Sequence, residues 1–200
     1  MDRKLLKANA KQQLGGGIFK TNWLNGLLVF LIFMGISFVG GITGIGSIAV
    51  IVIMGPISFG MAKIFLGLVM GAQSIEINDM FSGFKTDFGG TFLIGLMTTI
   101  FTFLWSLLFV IPGIIKSIAY SMAYFVKVDH PEYDWKQCMD ESVSITNGHK
   151  GELFVLQLSF IGWMIVCGFT FGIGYLWLMP YMMSTYANAY AYLTANRVIG

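Results

Sequence analysis

The chain has 200 residues, of which 56% are hydrophobic and 11% charged, with 25 glycines besides. Soluble domains average about 45–50% apolar residues, glycine included, and about 25% charged ones. So few charges cannot cover a water-facing surface. A soluble globular enzyme, a disordered tail and a nucleic-acid binder are therefore excluded, and a net charge of +2 supplies no cationic face.

In chain order, Lys4 to Gly17 reads as an amphipathic helix. Leu6, Ala10 and Leu14 recur at four-residue spacing beside a stripe of Lys4, Lys7 and Lys11. A gap of 42 residues without Asp, Glu, Lys or Arg follows, from Thr21 to Ala62. About 20 apolar residues cross a bilayer as a helix, so the gap holds two crossings. The glycine cluster Gly40 to Ser47 separates a run from Trp23 to Val39 from one spanning Ile48 to Met70. A second polar, helix-prone segment, Ile75 to Gly90, places Ile77, Met80, Phe81, Phe84 and Phe88 on one face.

The next gap, Phe88 to Ile115, has 28 residues, and its apolar run meets Pro112 and Gly113 before resuming to Val128. Proline suits the first turn of a helix and not its interior, so a turn is expected at Pro112. A third amphipathic segment, Glu132 to Gly151, aligns Trp135, Cys138, Met139, Ser142 and Val143. The last gap, Leu153 to Asn196, has 44 residues and is divided at Phe171 to Gly174.

The expected fold is all-α: a polytopic membrane protein with six transmembrane helices in three hairpins, punctuated by interfacial helices on the cytoplasmic side. Residues 1–200 form a single integral membrane domain, with a threefold pattern over 1–72, 73–128 and 129–196. Pro56, Pro112 and Pro180 stand near the starts of its inward-running helices. With both termini inside, 10 of the 12 basic residues and all ten acids fall on the cytoplasmic side. The opening segment does not read as a cleavable signal.

Lys4, Lys7, Lys11 and Trp135 are the expected lipid-interface contacts. Lys63 and Lys116 are the two cations inside the spans, both within reach of an interface by snorkelling and neither with an intramembrane carboxylate as counter-ion. Tyr120 and Tyr124 lie one turn apart beside Ser117 and Ser121, available to a ligand or to a neighbouring helix. Gly55, Ser58, Gly67 and Gly71 are spaced for close helix approach. Cys138 and Cys167 are too differently placed for a disulfide. His130 and His149 lack zinc-motif spacing, so no metal and no cofactor is expected. Neither a phosphate loop nor a nucleophile elbow is present.

Three stretches together resemble a known family: Leu104 to Phe125, containing IPGIIK; Asn147 to Trp163, containing GHKGELF and LSFIGW; and Gly172 to Met182, with GIG followed by PY. They are similar to uncharacterised bacterial integral membrane proteins grouped as a domain of unknown function. They are distantly similar to the membrane domain of some glycerophosphodiester phosphodiesterases, whose catalytic domain has no counterpart here. The resemblance implies a multi-pass bacterial plasma-membrane protein without assigned activity. It marks Pro112, Gly113, Lys116, Gly148, His149, Lys150, Gly162, Trp163, Gly172, Gly174, Pro180 and Tyr181 as motif positions.

The functional expectation is a non-enzymatic protein that organises lipid or partner proteins at the cytoplasmic face. Its expected partners are membrane lipids and a protein partner or second copy, with no nucleic acid. The alternative is a transporter or channel for a small molecule, lipid or peptide, with a pathway near Lys116, Tyr120 and Tyr124. A lipid-acting enzyme using His130 and His149 would need convergent groups that the spacing does not supply.

Overall fold

The computed structural model describes residues 1–17, 19–42, 46–170 and 172–198, and the side chains among these other than those of 39–42, 46–49, 51 and 196–198. The described residues are helical, with no strand. Helix α1 (Arg3–Gln13) starts at Asp2, whose carboxylate accepts from the Lys4 and Leu5 amides at 2.9 and 3.3 Å. It stops where Gly15 and Gly16 take φ of 97° and 76°, a left-handed exit that a side chain would resist. Helices α2 (Thr21–Ile42) and α3 (Gly46–Val69) fill the first charge gap. The turn expected within Gly40 to Ser47 lies outside the described residues.

Between Val69 and Asp87 the expected amphipathic helix is replaced by a 3-10 turn (Ile77–Phe81) and a one-turn helix, α4 (Ser82–Thr86). Its face divides. Met80 is buried, whereas Phe81, Phe84 and Phe88 stay partly exposed and form a ladder with Phe92 at ring spacings of 6.0–6.4 Å. Helix α5 (Phe88–Leu108) ends at Phe109, which is extended, and α6 (Val110–Tyr120) begins at once. Pro112 is thus in the first turn of α6, as expected, with the chain reversal three residues earlier. Pro56 and Pro180, by contrast, lie well inside α3 and α10 rather than near their starts. The apolar run does not continue unbroken either. It is interrupted at Ser121 and Met122 and resumes as α7 (Ala123–Asp129).

Helix α8 (Trp135–Thr146) opens with a reciprocal capping box between Asp134 and Gln137. It buries Cys138, Met139 and Ser142 together, as its spacing predicts. Helices α9 (Lys150–Phe169) and α10 (Ile173–Val198) complete the chain. Among the described residues, four segments are long and apolar enough to cross a membrane: Thr21–Phe38, Val52–Val69, Phe88–Leu108 and Lys150–Phe169. The other two expected spans, the fourth and sixth in chain order, do not reach that standard. At about 1.5 Å per residue, α6 covers about 16 Å and α7 about 10 Å of a core about 30 Å thick. The 26-residue α10 is long enough, but it carries Ser184, Thr185, Asn188 and Thr194.

Helices α3, α7 and α10 make the interior. Helix α3 packs on both others, and Phe125 of α7 stacks on Tyr190 of α10 at 5.6 Å. Each long exposed helix seats in a groove between two inner elements: α2 against α3 and α10, α5 against α3 and α6, α9 against α10 and α6. The polar segments fold back on the inner helices in turn. The 3-10 turn and α4 lie on α3, α8 lies on α6 and α7, and α1 lies on α10. Outward-facing apolar side chains follow helical stripes, such as Leu24, Leu28, Leu31 and Met34 on α2.

Candidate functional site

The strongest polar centre joins α5, α7 and α10. Lys127 sits in the apolar run Phe125 to Val128, and its side chain is only 3% exposed. An ammonium removed from water needs all three donors satisfied. Lys127 meets that demand with Asp87 Oδ2 at 2.7 Å, the Pro131 carbonyl at 2.9 Å and the Tyr133 carbonyl at 2.6 Å. Asp87 in turn caps α5 by accepting from the Gly90 amide at 2.8 Å. The Lys127 ammonium and that amide together hold the Asp87 carboxyl below its usual range. Two residues on, Asp129 accepts from the buried Tyr190 hydroxyl at 2.8 Å. By sequence alone, Lys127 is one of the ten basic residues assigned to the cytoplasmic side. A single lysine between aromatic and β-branched residues, followed by Asp, His and Pro, was the available signal.

The α6/α7 interruption has its own support. The Ser142 hydroxyl of α8 donates to the Ala119 carbonyl at 2.7 Å and accepts from the Met122 amide at 3.2 Å. Two backbone groups freed by the break are thereby paired in a buried position. Cys138, on the same face of α8, is fully buried, and burial pushes its thiol up to about 11. Both cysteines are free.

Helix α1 docks by its polar side as well as its apolar one. Gln13 Oε1 accepts from Asn188 at 2.7 Å and Ser184 at 3.2 Å, both on α10. Lys7 does not face outward as expected. Its ammonium stands 4.1 Å from the Phe160 ring centroid and donates to the Ser159 carbonyl at 3.3 Å. Desolvation there, helped by Arg3, lowers its pKa. Lys11 lies 6.0 Å over Tyr181, while Lys4 is exposed and Trp135 half-buried. Beyond Lys11 opens a cavity of about 350 Å³ that collects Trp23, Trp163, Trp177 and Tyr181.

The remaining sequence-predicted residues fall into separate groups rather than one pathway. Lys116 faces the rings of Trp105 and Tyr120 at 5.0 and 5.9 Å. Tyr124 shares a hydrogen bond with Ser58, and its hydroxyl fills the space that a side chain on Gly95 would take. Gly113 abuts Ser106. His149 and Glu152 pair at 2.8 Å beside the half-buried Lys150, and His130 pairs with Glu132 at 3.2 Å. Pro180 is buried against Gly26, and Trp163 is 59% exposed. Lys63 finds a carboxylate partner from outside the spans, Asp79 at 2.8 Å, because the 3-10 turn folds back along α3. No group of three or more His, Cys, Asp or Glu able to hold a metal occurs among the described residues. A second cavity of about 350 Å³ lies between α6 and α9, lined by Ser117, Gln157 and Tyr186 among apolar side chains. Neither of these two cavities includes Lys116.

An all-helical chain with four membrane-length apolar helices, and apolar stripes facing outward on α2, α5 and α9, has the character of a membrane protein. The chain belongs to the family described as Protein of unknown function (DUF975), whose model matches residues 1–118 and 107–197. No curated protein and no solved structure matches it.

Proposed function

We propose that the protein is a non-enzymatic integral membrane protein of the bacterial plasma membrane that organises lipid or partner proteins from its cytoplasmic side. It crosses six times in three hairpins with both termini inside. The α6/α7 pair forms one crossing despite its break, and α10 the last. The carrying observation is the contrast between the exposed apolar stripes of α2, α5 and α9 and the charges paired at the polar segments: Lys63 with Asp79, Lys127 with Asp87, His149 with Glu152. The threefold pattern is part of this reading. It is supported by the cyclic packing of three polar segments on three inner helices.

A transport pathway at Lys116 is the less favoured reading, since that cation stands over two aromatic rings rather than in either described cavity. Single-cysteine labelling in sealed vesicles tests the arrangement. Native Cys138 is too buried to serve, so Lys136→Cys, at an exposed position of α8, replaces it in a chain with Cys138 and Cys167 changed to Ala. Membrane-impermeant reagent should reach Ile173→Cys from outside and Lys136→Cys only after the vesicles are opened. Labelling of both from the same side removes the proposed topology.

A further inference from the structure

The cavity beside Lys11 is walled by α1, α2, α9 and α10. Three of the chain's five tryptophans line it. The wall is built to last: Trp23 donates its indole N–H to the Trp177 carbonyl at 3.0 Å and stacks on Tyr181 at 6.1 Å, and Phe160 meets Tyr181 edge-on at 5.6 Å. Pocket surfaces of this kind take an apolar body, and the few polar groups decide its orientation. One polar group here, the Lys11 ammonium, lacks a counter-charge. No carboxylate lies within ion-pair distance of it among the described residues, although Lys63 and Lys127 each have one. On the open side, Trp163 and Val166 are 59% and 54% exposed and continue into the apolar surface of α9.

A cation at one end, aromatic walls, and an apolar rim open toward the proposed bilayer match one ligand chemistry. We propose that this cavity binds an anionic phospholipid, its phosphodiester against the Lys11 ammonium and the first part of an acyl chain along Trp163, Trp177 and Tyr181. Indole and phenol rings offer such a ligand an apolar face and a polar edge. The volume of about 350 Å³ accepts part of a lipid and leaves the rest of the chain outside, which the open rim allows. This site rests on the membrane reading above and gives it a ligand class.

The test uses the full chain in vesicles of zwitterionic lipid containing a minority of lipid brominated near the headgroup end of its acyl chains, either phosphatidylglycerol or phosphatidylcholine. Tryptophan quenching reports occupancy. The brominated anionic lipid should quench with about a five-fold advantage in affinity, the factor that one lysine contributes at an anionic surface. Lys11→Gln should abolish the advantage, Lys11→Arg should restore it, and Lys4→Gln, at an exposed position of the same helix, should leave it intact. Equal quenching by the two lipids in the parent chain overturns the site, as does an advantage that survives Lys11→Gln. Loss of quenching on adding millimolar inorganic phosphate also overturns it, because the ligand would then be a free anion. Failure of the chain to float with vesicles overturns the membrane reading itself, whereas flotation with equal quenching removes the site alone.

Discussion

Helices α3 and α5 are nearly indistinguishable by composition and opposite in situation. Their apolar windows have mean hydropathies of 1.8 and 1.9, yet 61% of Val52–Val69 is buried and 11% of Phe88–Leu108. Apolarity therefore states that a helix avoids water, and says nothing about whether protein or lipid replaces it. The discriminating signal is steric. Helix α3 places Gly55 and Gly60 where backbones of neighbouring segments touch it, Gly55 at Thr91 and Phe92, Gly60 at the Met80 carbonyl. Helix α5 presents Phe103, Leu107 and Leu108 outward and is held near its ends and at one close crossing. Those holds are Asp87 with Lys127, Gly95 beside Gly55 and Tyr124, and Trp105 under Lys116.

If that contrast is right, α5 should be most sensitive at its polar anchor and α3 along its packed face. Asp87→Ala leaves the Lys127 ammonium buried without its counter-charge. Breaking such a pair costs about 3 kcal/mol or more, read as lost unfolding free energy in detergent micelles. The same pair carries a pH signature. Because the folded Asp87 carboxyl is held below its usual range, its contribution is complete above the unfolded value of about 4 and is lost as pH falls through the lower folded value. Melting temperature should fall with acidification below pH of about 4 in the parent, and that component should be missing from Asp87→Asn.

On α3, Gly60→Val drives a side chain into the Met80 carbonyl and should destabilise by about 2 kcal/mol, in the range of core overpacking. Ser142→Ala removes the group that pairs the Met122 amide and the Ala119 carbonyl. A loss of about 1–2 kcal/mol is expected, with faster hydrogen exchange at the Met122 amide. At the far end of the scale, Leu107→Ala on the exposed side of α5 should change stability by less than about 0.5 kcal/mol in micelles. A large loss there would show that α5 is packed against something in solution, and the contrast with α3 would fail.

Much of the fold was legible because charge is scarce. The charge gaps locate the long helices, and the spacing of Leu6, Ala10 and Leu14 and of Trp135, Cys138, Met139 and Ser142 announces α1 and α8. The break at Ser121 and Met122 was not legible, because its cause is a hydroxyl on another helix 20 residues away. The same holds for Lys63. Its carboxylate partner is outside the charge gap, and only the return of the 3-10 turn along α3 brings Asp79 to it. At the candidate site, Lys11, Trp163 and Tyr181 were singled out for separate reasons, as a surface cation and as motif positions. That they share a wall with Trp23 and Trp177 follows from α1 lying on α10, a contact that no periodicity encodes.

The docking of α1 also bears on how the molecule can be assembled. Gln13 finds its acceptors and donors on residues 171 and 175 positions further along the chain. A ribosome delivers them in that order, so α1 waits through the synthesis of every helix up to α10 for the surface it finally occupies. Contacts closed over such separations form late. Helix α1 is therefore made well before it can be placed, and a chain halted before α10 would leave Lys11 and Gln13 without their seat.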